Sequence, residues 1–167
     1  MGKVIKIDIF SAGKKFENKF YMMIGIPCSG KSYYCKDTYN NSNTIIISTD
    51  EIRKEITGSY EYDKENNNLV FDIAKNRINQ FLIEGCNVVF DATNTNSMYR
   101  KRILKIAKNN NCKSEAIVFM TPIEVCIDRN SKRDIERRVP IDVIINMANF
   151  SPRKVEEEGF DEVKYIK

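Results

Sequence analysis

The chain has 167 residues, of which 42% are hydrophobic and 30% are charged, and this size and composition suit one compact domain. Its formal net charge of +4 gives only weak support for a polyanionic partner. Histidine is absent and the five cysteines show no CxxC spacing, which excludes histidine triads and histidine metal sites and favours reduced thiols. No apolar run is long enough to span a membrane and the amino terminus lacks a signal-peptide core, so we expect a cytoplasmic protein outside the membrane.

Apolar runs that read as buried strands alternate with helical patterns along the chain. Strands are predicted at residues 20–24, 44–47, 87–91, 115–119 and 163–166. Helices are predicted after Gly30, at 50–56, at 69–82, from a cap at Ser97, after Pro122 and at 141–149. This order indicates βαβ units and a parallel sheet in one domain, 20–167, with ligands at the carboxyl ends of the strands. Residues 1–19 form an amino-terminal extension in which "VIKIDIF" predicts an extra edge strand.

The segment "GIPCSGKS", residues 25–32, has the spacing G-x-x-x-x-G-K-[ST] of a phosphate-binding loop between a strand and a helix. The glycines let backbone N–H groups point at phosphate oxygens, and the following helix presents its positive end. Lys31 is predicted to reach the β- and γ-phosphates of ATP, and Ser32 to bind Mg²⁺. Gly25, Cys28, Ser29 and Gly30 complete the nucleotide-binding loop. The alternative is an ordinary strand–turn–helix junction with an exposed lysine.

An aspartate follows the second predicted strand in "IIISTDEIRKEI". Asp50 lies near the expected γ-phosphate, where a carboxylate can orient an acceptor hydroxyl and take its proton. Arg53, three residues further on, shares nearly the same helical face and suits an anionic acceptor. The alternative is a helix start in which Ser48 and Glu51 form a capping box and Asp50 interacts with the helix dipole.

The third predicted strand ends in acid and polar residues, "VVFDATN". Asp91 resembles a Walker-B aspartate that binds Mg²⁺, and Thr93 and Asn94 are predicted to line the acceptor side. The alternative is a polar turn after a strand.

The stretch "DRNSKRDIERR" is rich in arginine. On a helix, Arg129, Arg133 and Arg137 share one face, which predicts a basic lid over the triphosphate. An arginine in that role typically raises the rate about 10³- to 10⁵-fold. The alternative is a solvated charged surface.

Together, "GIPCSGKS", the Asp50-x-x-Arg53 element, "TN" after the third strand, and "RNSKR" followed by "VPIDV" resemble the 5′-kinase domain of the phage-type polynucleotide kinases over about residues 20–150. The resemblance implies an adenylate-kinase-like α/β fold, with a five-stranded parallel sheet flanked by helices and an arginine-bearing helical lid. It also implies transfer of the ATP γ-phosphate to the 5′-hydroxyl end of DNA or RNA.

The resemblance assigns a role to each matching residue. Lys31 and Ser32 hold ATP and Mg²⁺, Asp50 is the general base, Arg53 binds the acceptor phosphate, and Arg133 is the lid arginine with Arg129 as a helper. The chain departs from the pattern at Thr49, where family members often have arginine, and it contains no DxDxT phosphatase motif.

Two other functions remain open from the residues. A kinase for a small-molecule hydroxyl, on a nucleoside, sugar or antibiotic, would use the same loop, aspartate and arginine. A non-catalytic nucleotide-binding module is less consistent with the sequence, because binding alone does not require Asp50 and Arg133. A basic channel on the acceptor side would favour nucleic acid. The basic residues at 53–54 ("RK") and 100–102 ("RKR") are candidates for it, and the alternative is plain surface.

Overall fold

Five parallel strands form one sheet in the order β2-β3-β1-β4-β5 in the computed structural model, which describes residues 17–41 and 43–167. The strands are β1 (Lys19–Ile24), β2 (Thr44–Ser48), β3 (Asn87–Asp91), β4 (Lys113–Phe119) and β5 (Glu162–Ile166). The prediction of a five-stranded parallel α/β fold is confirmed. The strand predicted in "VIKIDIF" lies outside the described residues.

Helices connect the strands and cover the sheet. They are α1 (Lys31–Thr38), α2 (Thr49–Thr57), α3 (Lys64–Ile83), α4 (Ser97–Asn109), α5 (Ile123–Ser131) and α6 (Ile141–Ala148), with 3₁₀ turns at Ile135–Arg137 and Pro152–Glu158. No helix in the described ranges is both long and apolar enough to cross a membrane.

The central strand β1 contributes side chains to the hydrophobic cores on both faces of the sheet. Because successive strand residues point to opposite faces, Met22 and Ile24 pack in one core with Ile78 of α3. Met23 packs on the other face with Cys35 of α1. All three β1 side chains are fully buried, so the position where this strand ends is held firmly from both sides.

Two helix starts differ from the sequence prediction. Asn96, and not Ser97, caps α4, since its side chain accepts a hydrogen bond from Met98 N at 2.9 Å. Ser48 occupies the cap position of α2, but its hydroxyl makes no capping hydrogen bond, so the capping box with Glu51 that was the alternative explanation of this segment is not formed. An extended residue before the first turn is enough to start α2 without a side-chain cap.

The arginine-rich stretch is not one helix, and the prediction of a shared helical face for Arg129, Arg133 and Arg137 is wrong. Helix α5 ends at Ser131, so only Arg129 lies on it. The chain then continues through a turn into the 3₁₀ segment Ile135–Arg137.

The buried side chain of Asn130 is the physical cause of this ending. Its Nδ2 donates to the Val139 carbonyl at 2.8 Å, and the Val139 N–H donates to its Oδ1 at 2.9 Å. These bonds join the end of α5 to the residue just before Pro140 and close residues 131–138 into a compact loop. We call 132–138 the lid segment.

Candidate active site

The loop between β1 and α1 has the backbone shape that a phosphate site requires. A Cβ added at Gly25 would lie 2.8 Å from Ser29 Oγ and 2.9 Å from Phe119 Cβ, so only glycine fits there. Gly30 has φ +101° and Cys28 has φ 64°, both in the left-handed region. Left-handed residues in such a loop are what a concave nest of N–H groups needs.

Hydrogen bonds from neighbouring strand ends hold this loop. The Gly25 N–H donates to the Thr93 carbonyl after β3 at 2.9 Å. On the other side, Thr121 Oγ1 donates to the Ser29 carbonyl at 2.8 Å. Thr93, predicted as an acceptor contact, therefore also positions the loop through its backbone, and Thr121 is a supporting residue that the sequence patterns did not indicate.

Lys31 is buried at the first position of α1, with 7% of its surface exposed. Its Nζ donates to the carbonyls of Gly25 at 2.9 Å and Ile26 at 2.8 Å. Burial lowers the pKa of Lys31, and the nearby charges of Asp91 and Asp50 oppose that shift. The ammonium group thus lies inside the loop and within the electrostatic range of both candidate acids.

The two predicted Mg²⁺ ligands are in direct contact. Ser32 Oγ donates to Asp91 Oδ2 at 2.7 Å. Burial raises the pKa of the Asp91 carboxyl, while the Ser32 hydrogen bond and Lys31 lower it. A hydroxyl beside a carboxylate suits Mg²⁺, which is usually held by one or two carboxylates plus substrate phosphates. No group of three acidic or cysteine residues that would hold a metal by itself is found in the described part of the chain.

Asp50 and Arg53 lie together on α2, as their spacing predicts. Arg53 Nη1 and Asp50 Oδ1 are 2.7 Å apart, and about half of the Asp50 side chain is exposed. Arg53 is buried, and its Nε has no hydrogen-bond partner among the described residues. The pair therefore combines an accessible carboxylate with a buried guanidinium group.

Two arginines face the phosphate loop from the other side. Arg129 Nη1 donates to the Cys28 carbonyl at 3.2 Å, and Arg133 Nη1 lies 3.5 Å from Cys28 Sγ. Both line a cleft of about 470 Å³ whose other lining residues are Cys28, Gly30, Lys31, Ser32 and Tyr33. Tyr33, which sequence reasoning missed, is 79% exposed there.

Arg137 takes part in a different contact. Its guanidinium carbon lies 3.8 Å from the centre of the Tyr60 ring, and Nη2 lies 3.5 Å from Glu51 Oε1. Ser59 Oγ donates to Glu136 Oε2 at 3.3 Å. The lid segment therefore contacts α2 and the α2–α3 connection, residues 58–63, next to the Asp50–Arg53 pair.

Asn94 is not on the surface where an acceptor would bind. Its side chain is buried and donates through Nδ2 to the Met23 carbonyl at 2.7 Å. Its φ of 50° belongs to the left-handed region, which asparagine tolerates better than most residues. The geometry corrects the predicted substrate contact, because the carboxamide fixes the end of β1 instead.

A buried ion pair supports this turn from below. Arg100 Nη1 donates to the Asn94 carbonyl at 2.7 Å, and Arg100 Nε donates to Glu158 Oε2 at 2.7 Å. Both charged side chains are almost fully buried. Arg100 therefore stabilises the fold and is not part of a basic surface channel. Its neighbour Lys101 is exposed.

The sequence pattern of a family described as an AAA domain matches residues 20–153 of this chain. That range covers the phosphate loop, the Asp50–Arg53 pair, Asp91 and the lid segment.

Several solved structures have the same fold. One from the Pnkp1/Rnl/Hen1 RNA repair complex has a TM-score of 0.75 and 19% identity, over 89% of this chain and 49% of that chain. One from the PezAT toxin-antitoxin system of Streptococcus pneumoniae has a TM-score of 0.67 and 17% identity, over 93% and 71%. The tunicamycin resistance protein of Deinococcus radiodurans has a TM-score of 0.56 and 11% identity, over 88% and 86%.

At these identities the likeness concerns the fold. The chain spans about half the length of the two chains that it matches in the RNA repair complex, 47% and 49%.

Proposed function

The chain belongs to the AAA domain family and has a P-loop kinase-like fold, and we propose that it is an ATP-dependent kinase of the 5′-hydroxyl ends of DNA or RNA. One observation carries the proposal: the buried lysine of the phosphate loop shares a cleft with a lid arginine and lies within the electrostatic range of an accessible acid. Asp50 is close enough to influence the pKa of Lys31, and Lys31 and Arg133 line the same cleft.

In the proposed reaction each residue has one task. Loop N–H groups and Lys31 hold phosphate oxygens of ATP. Ser32 and Asp91 would hold Mg²⁺, which would supply positive charge against the negative charge that develops in the transition state. Asp50 takes the proton of the acceptor hydroxyl. The hydroxyl oxygen forms a bond to the γ-phosphorus, and the bond between that phosphorus and the leaving ADP oxygen breaks. Arg133, with Arg129, stabilises negative charge on the transferred group.

Two features favour a nucleic acid acceptor. The positive charge of Arg53, which lies beside the proposed general base, suits the phosphate next to a terminal nucleotide. The RNA repair complex is also among the structures that share this fold. Together with the resemblance to the phage-type polynucleotide kinases, these features support a polynucleotide end as the substrate.

The second candidate is a kinase of a small-molecule hydroxyl. The observation that favours it is the fold shared with the tunicamycin resistance protein, of which this chain covers 86%. In that case Arg53 would bind another anionic or polar group of the acceptor, while Lys31, Asp50 and Arg133 would keep their tasks.

A labelling experiment separates the candidates. The protein is incubated with γ-labelled ATP and Mg²⁺ together with 5′-hydroxyl oligonucleotides, the same oligonucleotides with a 5′-phosphate, or free nucleosides. We expect label only on the 5′-hydroxyl polymers, and loss of that label in Lys31→Met. Label on nucleosides alone would favour the small-molecule kinase and contradict the proposal.

A further inference from the structure

We infer that Tyr62 is the surface on which the terminal nucleobase of the acceptor stacks, an inference that rests on the proposed function. Tyr62 lies in the 58–63 connection, and 64% of its surface is exposed. The guanidinium carbon of Arg53 lies 5.9 Å from the centre of its ring. A large aromatic side chain is therefore held in solvent directly beside the proposed acceptor site.

The contacts of Arg53 indicate which part of the acceptor arrives there. One side of its guanidinium group is ion-paired to Asp50 at 2.7 Å. Nε is buried without a partner among the described residues, so one donor of this guanidinium group is left unsatisfied, and the positive charge of Arg53 lies next to the carboxylate that is proposed to bind the hydroxyl. An acceptor phosphate on Arg53, with the hydroxyl on Asp50, leaves the base of the same nucleotide beside Arg53, where Tyr62 lies.

The neighbouring Tyr60 does not fit this role. One face of its ring is covered by the guanidinium group of Arg137, at 3.8 Å, and Lys54 Nζ lies 5.1 Å from the ring centre. Its hydroxyl donates to Glu51 at 3.2 Å. Tyr60 therefore holds the lid segment against α2, and Tyr62 is the aromatic ring of this connection that is available to a ligand.

Stacking has a chemical consequence that separates acceptors with a nucleobase from acceptors without one. Every base has a π-face, so a tyrosine platform accepts any terminal base, and such contacts are typically worth about 5- to 150-fold in binding for each base. A sugar hydroxyl or a free phosphate would gain little from Tyr62.

The test is a double-substitution cycle between protein and substrate. Wild type, Tyr62→Ala, Tyr62→Phe and Tyr62→Leu are assayed on a 5′-hydroxyl oligonucleotide and on the same oligonucleotide with an abasic 5′-terminal nucleotide. We expect Tyr62→Ala to lower kcat/KM for the intact end about 10-fold, mainly through KM for the oligonucleotide. Tyr62→Phe should stay near wild type, Tyr62→Leu should not, and KM for ATP should be unchanged in all variants.

The abasic end identifies what Tyr62 contacts. The abasic end should lower kcat/KM of the wild type about as much as Tyr62→Ala lowers kcat/KM for the intact end. In Tyr62→Ala the abasic end should cause little further loss of kcat/KM, because both changes remove the same contact. The inference would be overturned if the losses caused by Tyr62→Ala and by the abasic end multiply independently. It would also be overturned if Tyr62→Ala has wild-type kinetics. Equal activity of Tyr62→Leu and Tyr62→Phe would also overturn it, by showing that an aromatic ring is not needed.

The outcome is distinguishable from failure of the proposed function. If wild type labels neither oligonucleotide, the function itself is wrong and Tyr62 loses its proposed ligand. If wild type labels both equally well, the function stands and the stacking contact is refuted. Because Tyr62 is exposed on a connection, thermal unfolding of the three variants should match wild type.

Discussion

Asp50 stands on the first turn of α2, where an acid can either stabilise the helix start or serve catalysis. The capping-box explanation is weakened because the Ser48 hydroxyl makes no capping hydrogen bond. The carboxylate is ion-paired to Arg53 and about half exposed, and its charge opposes the lowering of the Lys31 pKa by burial. These contacts favour the general-base role.

Replacement of Asp50 by asparagine tests that role. We expect kcat for phosphoryl transfer to fall about 10²- to 10⁴-fold, because asparagine keeps the size of the side chain but cannot take a proton. The Kd for ATP should hardly change, since Asp50 bonds to Arg53 and not to the loop. Turnover and ATP binding are measured on the same preparations.

A matched control is available on α1. Asp37 is exposed and lies outside the cleft, so Asp37→Asn should behave like wild type. Normal turnover in Asp50→Asn would show that another group removes the proton.

The lid segment is held by contacts between elements that are far apart in sequence. Arg137 lies against Tyr60 and Glu51, and Glu136 accepts a hydrogen bond from Ser59. Since Arg133 belongs to the same segment, the position of the proposed lid arginine depends on the connection between α2 and α3.

Loss of Arg137 should therefore loosen the lid segment. In Arg137→Ala we expect faster amide hydrogen exchange in residues 134–138 and a kcat/KM reduced roughly 2- to 5-fold, in line with one exposed cation–π contact. The free energy of unfolding should change by less than about 1 kcal/mol. Lys132→Ala is the control, since Lys132 is exposed and its ion-pair partner among the described residues is Asp128 of α5. Equal exchange rates in both variants would contradict the prediction.

The edge strand β5 is connected to β4 by a carboxylate. Asp161 Oδ2 accepts hydrogen bonds from Ser114 N at 2.7 Å and Ser114 Oγ at 2.8 Å, and these bonds lower the pKa of Asp161 below its ordinary value of 3.8. A pKa lowered by folding stabilises the protein above the unfolded value, and the effect is lost as the pH falls through the folded pKa.

Asp161→Asn should thus be less stable than wild type at pH 7. The difference should shrink below about pH 4, the pKa of an unfolded aspartate, and vanish under more acidic conditions, where the wild-type carboxyl is protonated. Urea unfolding across this range measures it. A difference that is independent of pH would mean that the hydrogen bonds do not require the charge.

Across the molecule, one buried ion pair joins parts that meet only in the folded chain. Arg100 on α4 binds Glu158 of the second 3₁₀ turn and the carbonyl of Asn94, and Asn94 in turn holds the end of β1. The pair therefore connects the carboxyl-terminal region to the base of the active site.

Glu158→Gln should be strongly destabilising, by about 3–5 kcal/mol, because it leaves the Arg100 charge buried without its counter-charge. The adjacent Glu157→Gln, on an exposed side chain, should change the free energy of unfolding by no more than about 0.5 kcal/mol. Urea unfolding compares the two. Similar values for both variants would show that the pair is not a source of stability.

Much of the fold was predictable because its signals are local. The buried runs "FYMMI" and "NVVFD" form strands between helices, and the loop motif needs only its own glycines and the following helix. The proximity of Ser32 and Asp91 also follows, since β1 and β3 are neighbours whose carboxyl ends share one edge.

The remaining features depend on contacts between distant segments. Helical spacing put Arg137 beside Arg133, but the bonds of Asn130 to Val139 end α5 first. Asn94 was expected to face the acceptor, yet its buried side chain donates to the carbonyl of Met23. The positions of Arg100 and Tyr62 beside their partners depend on how helices pack, which no pattern along one segment contains.

The contacts of Lys31 inside its own loop have a practical meaning for ligand selection. The ammonium group already donates hydrogen bonds to two backbone carbonyls, so a ligand must carry a full negative charge to replace them. Adenosine has none to supply and would leave the side chain where it is. At the proposed ATP site we therefore expect a triphosphate, and not a nucleoside, to draw Lys31 away from these two carbonyls.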